Sequence, residues 1–276
     1  MSAFAPVLYK NSPWKHLLSR LRSYFIWVPL IFAYTGVLGT LSLLASLFDG
    51  SGRLQHWFAH LWSWLILKTT LAPVTVEGME QVDTTKPHLY AVNHISAMDI
   101  PLLYVHLPFQ FRIVAKHELF RYPFMGWHLR RSGQIDIDPR NAMSSLRSMN
   151  KAVQTLRSGM PIVVFPEGGR SFNGQVQPFL PGAFYTAIRA RVDIVPVALV
   201  GTYEMLPINT YHLMPRPLRV LFGKPISTHG YTPRDMGRLA EVVKAAVEDL
   251  YYSHAEIADP REVRVVQTFP VVQSLK

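Results

Sequence analysis

The chain has 276 residues, 49% of them hydrophobic and 17% charged, which is enough apolar material for a substantial core and excludes an extensively disordered chain. Lysine and arginine outnumber acids 28 to 18, and the formal charge of +10 points to an anionic partner: nucleic acid, a phospholipid surface or a phosphorylated substrate. The absence of cysteine excludes disulfides, thiolate metal sites and a cysteine nucleophile.

From Ser23 to Phe48, 26 residues pass without a charged side chain or a histidine. As a helix that run would extend about 39 Å, longer than a hydrocarbon core requires. A cleaved signal peptide would be shorter, begin earlier and end in a small-x-small site. Lys10, Lys15, Arg20 and Arg22 precede the run and predict a cytoplasmic N-terminus. A second apolar stretch, Leu54 to Leu67, follows the turn "DGSGR" and is only 14 residues long. Its tryptophans, Trp57, Trp62 and Trp64, and its two histidines suit the headgroup boundary, although an amphipathic helix packed on a soluble domain fits it nearly as well. Pro29, Gly36 and Gly39 permit a bend, so the expectation is a helical pair that enters the membrane and returns the chain to the cytoplasmic face.

After Pro73 the pattern changes to short β-rich runs at 74–77, 88–92, 111–114, 134–137, 161–165, 194–200 and 218–222. Between Asn141 and Ser158, Leu146, Met149, Val153 and Leu156 recur at helical spacing, with Asn141 as cap and Gly159 as stop. Another helix follows Thr232 as cap, Pro233 at the first position and Asp235 at the third. Strand and helix alternation predicts an α/β domain over a mixed, largely parallel sheet flanked by helices. The expected division is 1–72 for the membrane-associated helical segment, 73–255 for a catalytic domain and 256–276 for a C-terminal tail.

Two stretches share one spacing of histidine and aspartate: "NHISAMD", with His94 and Asp99, and "HAEIAD", with His254 and Asp259. Residues five apart on a continuous helix lie about 140° apart around its axis, so such a pair meets only where the chain turns. His94 stands between a predicted buried strand and a helix, at the strand end where open α/β sheets collect ligands. His254 stands near the end of the last helix, where fraying accounts for it. Ser96 and Asp99 also read as a capping pair, so on these residues alone Asp99 could simply hold a backbone N–H. "PIVVFPEGGRS", Pro161 to Ser171, runs from a strand into Glu167, two glycines and Arg170, either a phosphate cradle or an ordinary turn with a solvated arginine. It lacks the spacing and lysine of a Walker loop, and "GRSFN" has Asn173 where a nucleophile elbow needs glycine. "GQIDIDPRN" brings Arg140 to a helix start as a second anion contact. In "VDIVPVAL", Pro196 inside a strand suggests an edge or a bulge.

In this order, "NHISAMD", "GQIDIDPR", "FPEGGRS" and "IVPVAL" resemble the four sequence blocks of the glycerolipid acyltransferase family, which includes the lysophosphatidic acid acyltransferases. The resemblance covers about residues 73–226. It implies that His94 is the general base toward an acceptor hydroxyl, that Asp99 orients the imidazole, and that the hydroxyl attacks an acyl thioester with no acyl-enzyme. Glu167, Gly168 and Arg170 match the block that helps to hold the acceptor's phosphate, Arg140 matches the arginine of the second block, and Lys116 is counted with the substrate-binding cations. The implied co-substrate is acyl-CoA or acyl carrier protein, with a lysophospholipid acceptor, the bilayer as partner, and no cofactor, metal or nucleic acid. This chain departs from the pattern where Pro139 separates Asp138 from Arg140, and where Gly169 replaces the family's usual threonine. A membrane-associated hydrolase would need an elbow serine and an oxyanion loop that are not recognisable, and the cations form no run typical of a nucleic-acid module.

Overall fold

In the computed structural model, which describes residues 13–138 and 140–261, the apolar N-terminal run is part of a single helix from Trp14 to Ala45. Among the described residues it is the helix long and apolar enough to cross a membrane. It comprises α1 (Pro13–Arg22), a π-turn over Ser23–Trp27 and α2 (Val28–Ala45). The π-turn has a local cause. Pro29 has no N–H and its ring crowds the carbonyl of Phe25, so the helix widens there and Val28 donates to the Ser23 carbonyl. Lys15, Arg20 and Arg22 lie on α1, and Lys10 is outside the described residues. Beyond a turn at 46–52, α3 (Arg53–Thr70) packs back against α2. Asp49 fastens the turn by accepting from the Ser51 and Leu54 backbone N–H groups.

The rest is a seven-stranded sheet: β1 (Val74–Glu77), β2 (Leu89–Val92), β3 (Arg112–Lys116), β4 (Ile135–Ile137), β5 (Ile162–Val164), β6 (Ile194–Val200) and β7 (Leu218–Phe222). Each expected strand is present within a residue or two. The order is β1-β7-β6-β2-β5-β3-β4, parallel throughout except between β6 and β7. Crossovers are made by α4 (Asp99–His106), α5 (His117–Arg121) with α6 (Met125–Arg131), α7 (Ala142–Arg157) and α8 (Gly182–Ala190). Short α9 (Thr202–Met205) follows β6, and α10 (Met236–Tyr252) closes the fold. Both predicted caps form: Asn141 accepts from Ser144, and Thr232 and Asp235 make a reciprocal capping box.

Alternation along β2 shows how the core divides. Leu89 and Ala91 face α7, α8 and α10, while Tyr90 and Val92 face the other layer with Leu102, Leu103, Trp27, Ile66 and Leu67. The N-terminal helices therefore share a core with the sheet. Their polar contacts span it: Ser19 bonds His212, Ser23 donates to the Leu213 carbonyl, Ser42 bonds His128, and Arg112 donates to the Ser51 carbonyl. Trp62 is turned inward and donates to Thr35 on α2, whereas Trp57 and Trp64 are exposed.

Pro196 corrects one expectation. It lies in a central strand, paired with Ala91, and not at an edge. The bulge is real, however. Val197 pairs with Phe222 but Ile194 with Ile226, one residue out of step, so the chain after β7 carries an extra residue opposite Pro196. The proline's missing N–H falls where the ladder is already broken.

Candidate active site

Four parallel strands end on one edge of the sheet, and their carboxyl ends deliver the site. β2 leads into His94, β5 into Glu167, β3 ends at Lys116, and β6 is followed by Thr202. Asn93 locks the end of β2 to β6, its amide donating to the Leu199 carbonyl and accepting from the Leu199 N–H.

The chain turns sharply between His94 and Asp99, and the two side chains meet, Nδ1 to Oδ2, at 2.8 Å. Asp99 is fully buried. The same Oδ2 accepts from the backbone N–H groups of Ile95 at 2.8 Å and Ser96 at 2.9 Å, and Oδ1 accepts from the Thr202 hydroxyl at 2.7 Å. One carboxylate thus holds both the imidazole and the Ser96 N–H, but Ser96 is not the helix cap: α4 begins at Asp99 after Met98, whose N–H donates to the Ser96 hydroxyl. Surrounded by donors, Asp99 is an acceptor, so Nδ1 of His94 carries a proton, and in the neutral ring this is the tautomer that leaves the lone pair on Nε2. Nε2 makes no hydrogen bond among the described residues. The ring stacks on Phe165, centroids 4.1 Å apart, which fixes its plane.

Glu167 joins the two constellations. One oxygen accepts from the His94 N–H at 2.7 Å and the other from the Gln177 N–H at 3.0 Å. Burial pushes its carboxyl up to about 8, against the downward pull of those two backbone donors. Ser171 N–H closes the loop by donating to the His94 carbonyl at 2.8 Å. Gly168 has φ of +70° and a Cβ there would lie 2.7 Å from Leu180, so this turn requires glycine. Residues 167–173, with Gln177 and Pro178, line an open cavity of about 520 Å³.

Arg170 is exposed on this cavity and makes no hydrogen bond or ion pair among the described residues. Lys116 reaches the same loop, its Nζ 3.3 Å from where a Cβ on Gly169 would stand. The family's threonine at that position would press on this ammonium; glycine leaves it room. Arg140 is placed differently. It is exposed and paired with Glu118 and Asp138, and Pro139 lies outside the described residues. His254 bonds Ser253 and the Leu250 carbonyl, and Asp259 pairs with Arg261, so the second His–Asp spacing never closes. Thr202 and Phe165 carry no local sign of their roles. Thr202 lies 103 residues from Asp99, and only the parallel pairing of β6 with β2 brings it near.

The acyltransferase family model matches residues 73–200. The chain is 30% identical over 200 residues to the 1-acyl-sn-glycerol-3-phosphate acyltransferase of Limnanthes alba, covering 72% of this chain and 69% of that one. It is 29% identical over 231 residues to the Saccharomyces cerevisiae protein of the same name, covering 81% and 75%. The crystal structure of the 1-acyl-sn-glycerophosphate (LPA) acyltransferase PlsC from Thermotoga maritima matches with a TM-score of 0.66 at 26% identity, over 86% of this chain and 96% of that one. With its site at the strand ends and its fold shared across nearly the whole of a solved relative, the chain belongs to the acyltransferase family that includes the 1-acyl-sn-glycerol-3-phosphate acyltransferases.

Proposed function

We propose that this protein acylates lysophosphatidic acid at its free hydroxyl to give phosphatidic acid, using an acyl thioester of coenzyme A or acyl carrier protein. The observation that carries the reading is the unbonded Nε2 of His94, held by buried Asp99 beside a loop that exposes Arg170 and that Lys116 reaches from the end of β3. Nε2 takes the hydroxyl proton as the hydroxyl oxygen attacks the thioester carbonyl. Asp99 stabilises the imidazolium that forms. The tetrahedral adduct collapses, the carbon–sulfur bond breaks, and Nε2–H returns its proton to the departing sulfur. Thiol and ester are the products, and no acyl-enzyme is needed. Arg170 and Lys116 hold the acceptor's phosphate, while Glu167 and Gly168 shape the loop that presents Arg170. Arg140 is occupied by Glu118 and Asp138, so its charge is already partly met.

The protein works, in this reading, on a membrane with its catalytic domain facing the cytoplasm. The polar contacts at Ser19 and Ser42 lie about 35 Å apart along the helix and both end on the sheet domain. A helix so fastened lies along the domain, while Phe25, Phe32, Val37, Leu44 and Phe48 are exposed on its outer face. That favours a helical pair sunk into one face of the bilayer over a span that leaves the domain behind. Purified protein given a panel of lysophospholipids and acyl donors, with products identified by mass spectrometry, tests the proposal. Phosphatidic acid from lysophosphatidic acid is the expected product. Release of free fatty acid alone would replace acyl transfer with hydrolysis.

A further inference from the structure

Between β3 and β4 the chain makes a strained knuckle. Phe124 has φ of +60° and ψ of −61°, and the Met125 N–H donates to the Pro123 carbonyl at 2.7 Å. This is a γ-turn of positive φ, a rare and strained conformation for a residue with a side chain. It is held rigidly. A Cβ on Gly126 would lie 2.1 Å from the Phe120 carbonyl oxygen, and the Arg130 guanidinium grips that same oxygen with both terminal nitrogens. What the strain presents is apolar: Tyr122, Phe124, Met125 and Trp127 are each more than half exposed. The Phe124 and Trp127 rings touch each other, with centroids 5.3 Å apart.

Two observations identify the occupant of this surface. The Ser42–His128 bond joins α6 to the end of α2 where Leu41, Leu44, Leu47 and Phe48 are exposed, so the knuckle continues the outer apolar face of the helical pair. No acidic residue occurs between Leu119 and Ile135, while exposed Arg121 and Arg131 flank the aromatic tip. Apolar side chains with arginines at the rim match an interface of acyl chains and anionic headgroups.

We infer that the knuckle formed by residues 122–127 is a second membrane-inserting element, which enters the leaflet beside the N-terminal helices. Only α5 separates it from β3, whose last residue is Lys116. Contact at the knuckle and at the helical pair fixes the tilt of the sheet, so that the strand ends carrying the site meet the lipid surface. The inference rests on the membrane reading of the helical pair, and the test separates the two.

The native chain has no cysteine, so single cysteines carrying an environment-sensitive fluorophore can be placed in the full-length protein at Met125, at Phe32 on α2 and at exposed His229 as control. With vesicles of phosphatidylcholine and phosphatidylglycerol, the labels at Met125→Cys and Phe32→Cys should both shift to the blue, and that at His229→Cys should not. The double variant Phe124→Ser/Trp127→Ser, whose side chains are exposed and outside the core, should lose at least about tenfold in partition to the same vesicles. A label at 125 that stays in water while that at 32 inserts overturns the knuckle and leaves the membrane reading intact. If neither inserts, both fail. A blue shift at 125 that needs no vesicles and grows with protein concentration would make this a protein–protein surface and overturn the inference.

Discussion

His94 owes its direction to side chains that lie far apart in sequence. Thr202 is the most telling, because its hydroxyl occupies the oxygen of Asp99 that neither His94 nor the backbone uses. Removing that donor leaves a buried carboxylate with one oxygen unsatisfied, which costs about 1–3 kcal/mol and loosens the pair. Thr202→Val should therefore lower kcat by about tenfold with little change in either KM, and Thr202→Ser should restore most of it. At the second His–Asp spacing, His254→Ala should leave turnover as it is, since among the described residues that ring bonds Ser253 and the Leu250 carbonyl at its own helix end. Steady-state kinetics on the folded variants check both. Arg170→Ala tests the other half of the site. A single charge-assisted contact contributes about 1.5–3 kcal/mol, so the acceptor KM should rise about tenfold or more while that of the donor holds. Equal effects on both substrates would remove Arg170 from the acceptor's phosphate.

Among the elements, strands were easier to read than the pieces between them. All seven appear as short apolar or β-branched runs, the central β2, β5 and β6 because a strand buried on both faces needs little else, and the two longer helices of the sheet domain show both their period and their caps. α5 and α6 were illegible. They are five and seven residues long and separated by a γ-turn with exposed Tyr122 and Phe124, so no period marks them. His94, Asp99 and the glycine-rich loop were legible as motifs at strand ends, but whether Asp99 held a backbone N–H or the imidazole was not, and in the structure one oxygen takes both. Nothing local announced Phe165 or Thr202, whose positions are set by sheet order. The loop after β5 yields a prediction of its own. Burial raises the Glu167 carboxyl from 4.5 to about 8. A group raised in the folded state contributes most to stability below its unfolded pKa and loses that contribution as pH rises through the folded value. Between about pH 4.5 and 8 the protein should thus lose stability relative to Glu167→Gln, by no more than about 1.4 kcal/mol per pH unit. Melting temperatures of both proteins across that window measure it, and parallel curves would mean that the backbone donors keep Glu167 ionised throughout.

For the molecule as a whole, the sequence announced a helical pair but not its attachment. Apolar length alone allows a crossing; the contacts of Ser19, Ser42 and Ser51 with the sheet domain bind the pair to that domain along its length. On the proposed membrane reading, Lys15 at the start of α1 shares a side of the bilayer with exposed His229. Cysteines placed singly at these positions should both be labelled from the cytoplasmic face of sealed vesicles, and labelling from opposite faces would require the helix to leave the domain. The broad excess of cations suits both ends of this arrangement, a phosphate-bearing acceptor and an anionic leaflet.

The claim on which the rest depends is that a neutral imidazole, held by Asp99, takes the proton from a lysophospholipid hydroxyl. His94→Ala protein, shown by its melting curve to be folded, assayed beside the parent with lysophosphatidic acid and acyl-coenzyme A or acyl carrier protein, tests it most directly. The account predicts that phosphatidic acid formation falls by about 100-fold to 10,000-fold with substrate binding largely retained, whereas near-parental turnover by that variant would contradict it.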